Sequence, residues 1–199
     1  MSKGEDIAEI SELVARERLF RARHNPEIAD CYYPDATVAT SWQQGPLSTF
    51  IGSDSKEVDP RFTIVGNISP AVVHLNEKRA YVELPTCTHM RMMVNGTLAQ
   101  IESYRRLIYR VEKRNGEWKI SQMTSINEND DLRPVIAGQD LHIKSSDLEG
   151  LRPSYQFLAY VRKAAGGDIS NDLLGTDRPE DIDKLYAQAE TWLQQETKL

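Results

Sequence analysis

Apolar and polar positions alternate through residues 79–127, and two Asn-Gly dipeptides, Asn95-Gly96 and Asn115-Gly116, divide the pattern. Asn-Gly between apolar runs marks a two-residue hairpin, because a type I′ turn needs positive φ at both central residues. The pattern predicts three antiparallel strands, about 79–94, 97–113 and 117–127. The middle run from Ile101 to Val111 exceeds the usual strand length of about 5–6 residues. A strand that long twists, and the curled sheet leaves a concave face to be filled. Pro85 interrupts the first of the three strands, which predicts an edge or a bulge there.

Helical spacing precedes this meander. Ile7, Ile10, Leu13, Val14 and Phe20 recur at three and four residues and predict a helix over about 6–23. Asn25-Pro26 ends it and opens a second helix over 27–33. A strand over 36–42 follows, then a short helix over 47–55, a polar loop over 54–59 and a strand over 68–75. After Asn127 the pattern changes. Two further helices are predicted over 153–165, closed by Gly166-Gly167, and over 179–195, with Asp177 as the capping residue.

Composition narrows the classes. The 199 residues are 40% hydrophobic and 27% charged, ordinary for a globular chain, and the net charge is −6. An acidic chain lacks the basic face that nucleic acid or an anionic membrane requires. Residues 1–6 lack the apolar run of a signal peptide, and the two cysteines have no pairing or metal-like spacing; the expectation is a cytoplasmic protein. No phosphate loop, dinucleotide fingerprint or metal spacing occurs, so no cofactor is expected. A single α+β unit over 1–132 with a helical extension over 133–199 is the expected organisation. The open convex sheet predicts a homo-oligomer, dimer or trimer.

Two stretches carry a resemblance. Asp30-Cys31-Tyr32-Tyr33-Pro34-Asp35-Ala36-Thr37-Val38 resembles the helix-to-strand junction of SnoaL-like domains. The run from Ser103 to Val111, followed by Asn115-Gly116-Glu117-Trp118-Lys119-Ile120, resembles the strand, turn and ending of the same domains. They belong to the nuclear transport factor 2 superfamily, which includes scytalone dehydratase and ketosteroid isomerase. The resemblance covers about residues 6–132. It implies a cystatin-like α+β barrel, a cone-shaped curved antiparallel sheet closed by N-terminal helices. It also implies a cofactor-free lyase or isomerase acting by dehydratase- or deformylase-type elimination on a small aromatic, phenolic or polycyclic compound. The alternative is a non-catalytic ligand carrier, since fold alone does not set function.

Carried over residue by residue, the dehydratase histidines fall on His74 and near His89. The dehydratase aspartate falls on Arg21, with Phe20 beside it, and the isomerase base falls near Thr40. From the residues themselves, His74 suits a general base and His89 its partner. Glu17 and Arg21 stand at i,i+4, either as a solvated pair or with Arg21 holding a substrate oxygen and Glu17 orienting it. Arg105 shares a strand face with Leu107, Tyr109 and Val111; if these face the concavity, Arg105 meets the substrate there. Tyr32, Tyr109, Trp42, Met90, Met92 and Met93 are candidates for lining the pocket.

Overall fold

A computed structural model of the chain describes residues 2–51 and 63–195. Its first element is helix α1 (Lys3–Ala22), which begins earlier than its apolar spacing suggests. The Ser2 side chain accepts the Glu5 N–H and the Glu5 carboxylate accepts the Ser2 N–H, closing a capping box. The next segment is a 3₁₀ turn, Pro26–Cys31, rather than a full helix.

Strand β1 (Tyr32–Ala39) starts and ends before the predicted strand. Its pairing slips between Tyr32 and Thr37, where Pro34 withholds an N–H. It ends because the Thr40 hydroxyl accepts the N–H of Trp42 and of Gln43, tying off a turn. Trp42 therefore lies in that turn and not on a strand. Strand β2 (Gln44–Pro46) and a 3₁₀ turn, Leu47–Thr49, follow. Phe50 and Ile51 continue as a turn and a bend instead of the predicted short helix, and the rest of that helix and the polar loop at 54–59 lie outside the described residues.

The predicted strand at 68–75 is two strands, β3 (Thr63–Ile68) and β4 (Val72–Asn76). Both pair with β5 (Arg79–Val94), one after the other. Pro85 sits where the neighbour changes, and its carbonyl accepts the Ser69 N–H. The expected bulge is absent, since β5 runs in unbroken register with β6 (Thr97–Arg114) past Pro85. The missing N–H costs nothing there because it faces the gap between β3 and β4. Strand β7 (Glu117–Pro134) completes the meander, and β1 pairs with it in parallel. Positive φ at Asn95, Gly96, Asn115 and Gly116 confirms both tight turns. The sheet order is β2-β1-β7-β6-β5-β3, curved and unclosed.

The unbroken β5–β6 register assigns faces by alternation, and a register shift on β7 brings Ile120 and Met123 to the same face. One face buries Val82, Leu84, Leu107, Tyr109, Val111, Ile120 and Met123 against Ile10, Leu13 and Val14 of α1. Farther along the same face, Met90, Val94 and Ile101 pack against Tyr155 and Leu158 around helix α2 (Gln156–Ala164). So α2 fills the far end of the concave face instead of lying outside. Helix α3 (Pro179–Gln194) is on the convex face, where Ala189 and Leu193 cover Tyr81. Asp177 does not cap α3. Its carboxylate takes two N–H groups of Arg152 and the Ser154 hydroxyl, at 2.6–2.8 Å, and so ties the two ends of the C-terminal segment together.

Candidate functional site

Glu17 follows Leu13 and Val14 by one turn on the inward face of α1, and its side chain is fully buried. Each of its carboxylate oxygens accepts one N–H from Arg18. Tyr32 Oη donates to Oε1 and Tyr109 Oη to Oε2, both at 2.9 Å. Four donors thus converge on one carboxylate, and a charge buried this deeply is sustained only by such pairing. Burial, and after it the Glu17 charge, pushes the Tyr32 phenol well above its ordinary value. For Tyr109 burial again dominates, and the phenol is likewise pushed up. Burial works against the Arg18 charge, yet Glu17 outweighs it and the guanidinium is held firmly protonated. Phe50 closes this end, with its ring edge-on to Tyr32 and near the Arg18 guanidinium.

Arg105 enters the same concavity from β6, as Leu107, Tyr109 and Val111 do. It donates to the Thr88 hydroxyl, which stands on the same face of β5. Its Nε is buried and has no hydrogen-bond partner among the described residues. No described carboxylate pairs with it. Burial first, and the neighbouring Arg18 second, push its pKa down to about 10. On β7, Ser125 stands opposite Leu107 and Asn127 opposite Arg105. The Ser125 hydroxyl is also buried without a hydrogen-bond partner among the described residues. Two unmet donors therefore sit on neighbouring strands of one concave face. Asp130, opposite Ser103, is the next concave position toward α2. It accepts the Leu158 N–H at 2.7 Å in the first turn of α2, and its Oδ1 has no hydrogen-bond partner among the described residues. Burial raises this carboxyl to about 6.

The histidines do not join this group. His74 stacks on Tyr81, ring centroids 4.1 Å apart, and contacts Glu83 at 3.0 Å on the convex side under α3. His89 is on the same convex side, near Asn67 and Glu102. Register and a period of two decide this: His74 pairs directly opposite Tyr81 across β4 and β5, and His89 shares parity with Tyr81 along β5. Arg21 lies against the Phe50 ring at 4.3 Å and donates to the Phe50 carbonyl, while Phe20 packs at the edge of the α1 core. The partner of Glu17 is therefore Arg18, not Arg21. Thr40 is spent on its turn. Met90 belongs to the core around α2, and Trp42, 43% exposed, lines a half-open groove with Met92 and Met93. Of the expected site residues, Glu17, Tyr32, Tyr109 and Arg105 converge. Arg18, Thr88, Ser125 and Asp130 were not anticipated. Only Arg18 had a signal, as a second arginine next to Glu17, and adjacent helix residues are not expected to face one another.

The fold has known relatives. A protein assigned as a scytalone dehydratase from Novosphingobium aromaticivorans superposes with a TM-score of 0.51 at 15% identity, covering 70% of this chain and 95% of that one. A hexachlorocyclohexane dehydrochlorinase, LinA type 2, superposes with a TM-score of 0.54 at 13% identity, covering 70% of this chain and 96% of that one. The chain has the nuclear transport factor 2-like fold. Within that fold, α1 and the meander form the cone, and the segment carrying α2 and α3 is added to both faces of its sheet. By sequence, Pea pathogenicity protein 2 of Fusarium vanettenii is 26% identical over 175 residues, 83% of this chain and 75% of that protein. No protein-family model matches the chain. No described helix is long and apolar enough to cross a membrane.

Proposed function

We propose that the cone takes a small organic anion, a carboxylate, phenolate or enolate, with Arg105 as the group that holds its negative oxygen. The observation that carries this reading is the buried Arg105 Nε without an acceptor, beside the equally unmet Ser125 hydroxyl. Burying a guanidinium without a counter-ion is expensive, and a bound anion supplies both the charge and the missing acceptor. Glu17 neutralises Arg18 and leaves Arg105 as the unpaired positive charge beside it on the concave face. Tyr32 and Tyr109 direct their protons at Glu17, so toward a ligand they present ring faces and apolar edges suited to an aromatic or unsaturated body.

A second reading, cofactor-free elimination of the lyase type, is favoured by Asp130. A carboxyl near pKa 6 can remove a proton at neutral pH. Arg105, one concave position away, would stabilise the enolate-like charge that develops. The dehydratase and dehydrochlorinase that share the fold make such chemistry a natural use of it. With both expected histidines on the convex side, the carboxyl would replace imidazole as the base. Binding is the better supported reading, because Arg105 serves it without any further group.

The test is calorimetric titration of a panel of small aromatic carboxylates and phenols, with mass spectrometry for turnover. Arg105→Met is expected to weaken binding of anionic members at least about tenfold, the value of one charge-assisted hydrogen bond, and to leave neutral members unchanged. Equal binding by wild type and variant, or no anion bound at all, refutes the proposal. Turnover that Asp130→Asn abolishes while binding persists selects the second reading.

A further inference from the structure

A cavity whose lining does not include Arg105 lies between the β1–β2 turn, the tip of the β5–β6 hairpin and the end of α2. Its volume is about 470 Å³, and Trp42, Met90, Met92, Met93, Val161 and Arg162 line it. That volume is in the range of small-molecule sites, roughly 300–1,000 Å³. Its walls are apolar but adaptable: three methionines offer flexible, polarizable surface that moulds to flat rings. Met93 and Trp42 are 61% and 43% exposed, so large apolar area stands open to water at the mouth.

One charge stands at the rim. The Arg162 guanidinium lies 5.4 Å from the centroid of the Trp42 ring, and no described acidic residue pairs with it. Its position is built into the backbone. Just past the end of α2, Gly166 has φ +77°, and the chain turns back so that Gly167 passes under the Arg162 side chain. A Cβ at Gly167 would stand 2.3 Å from the Arg162 Nε. Any larger residue there displaces the guanidinium from the groove. An apolar slot floored by methionine and indole, with a single uncompensated arginine at its edge, complements a planar molecule that is aromatic at one end and anionic at the other.

We propose that this groove is a second binding site, for a planar aromatic anion whose ring stacks between Trp42 and the methionines and whose acid group meets Arg162. Its lining includes neither Arg105 nor Ser125. Trp42 reports on it directly, since Trp118 is buried and Trp192 lies on the convex side beneath Arg79 and Arg110.

The experiment uses two dyes, the anionic 1-anilinonaphthalene-8-sulfonate and the neutral N-phenyl-1-naphthylamine, titrated into the full chain. The anionic dye is expected to quench Trp42 in a single saturable step. Arg162→Gln should weaken it at least about tenfold while leaving the neutral dye unchanged, and Trp42→Ala should weaken both. Gly167→Ala should act as a milder Arg162→Gln. These positions are at the surface or on a turn, and circular dichroism confirms folding of each variant. Anionic-dye binding that survives both Arg162→Gln and Trp42→Ala overturns the proposal. So does binding that Arg105→Met abolishes, because the dye is then in the cone.

Discussion

Replacing Glu17 by glutamine tests whether the buried cluster is organised as described. In the native protein, each carboxylate oxygen accepts one Arg18 N–H and one tyrosine O–H. An amide can present an oxygen to only one of these two sides. At the other, its NH₂ opposes an Arg18 N–H and a phenol O–H. Arg18 then keeps its charge without a counter-ion, close to the charge of Arg105. Breaking a buried pair on one side costs about 3–5 kcal/mol. A domain of this size is stable by about 5–15 kcal/mol, so the variant should fold with a much reduced margin. At about 2–4 °C per kcal/mol, the melting temperature should fall by roughly 6–20 °C. Urea unfolding, followed by circular dichroism and by the fluorescence of buried Trp118, measures the loss. Removing the second charge with Glu17→Gln/Arg18→Met should recover much of it, since an apolar replacement of both partners is often near neutral. A single-variant loss below about 1 kcal/mol, or a double variant worse than the sum of its parts, would show that Glu17 and Arg18 are not a buried pair.

Two further outcomes follow from groups with displaced pKa values. Asp130, raised to about 6, contributes stability that is present below about pH 4 and lost as the pH rises through 6. Asp130→Asn keeps an oxygen for the Leu158 N–H, so relative to wild type it should gain up to about 3 kcal/mol between pH 4 and pH 7 in urea midpoints; a pH-independent difference refutes the assignment. Asp177, held down to about 2 chiefly by its hydrogen bonds from Arg152, contributes stability that is present above about pH 4 and lost as the pH falls through 2. Asp177→Ala should cost about 2 kcal/mol at neutral pH and raise hydrogen exchange around residues 152–178, whereas unchanged exchange would mean that the Arg152 contact carries no load.

The meander is legible in the sequence because its determinants are local. Asn95-Gly96 and Asn115-Gly116 need nothing but their own φ angles to turn the chain, and alternation then assigns each strand residue to one of two faces. That is why spacing alone groups Arg105 correctly with Leu107, Tyr109 and Val111. Helix α1 is equally legible, and its earlier start is written in the Ser2–Glu5 spacing. What alternation leaves open is which face of β4 and β5 is concave. Likeness to the dehydratases places His74 and His89 inside, yet the pairing of His74 with Tyr81 across β4 and β5, and the alternation along β5 from Tyr81 to His89, put them on the outside. The site depends on what packs against the sheet. Glu17 is buried among donors only because β1 and β6 bring Tyr32 and Tyr109 to the end of α1, from 15 and 92 residues away. The replacement of Arg21 by Arg18 as the partner of Glu17 is also a tertiary outcome, since Phe50 occupies Arg21. The raised carboxyl of Asp130 exists because α2 folds back over the concave face and removes it from water. Periodicity and turn chemistry act between neighbours in sequence and can be read there. Burial, charge pairing and pKa depend on the dielectric and the partners that distant segments supply, and only the packed chain creates them.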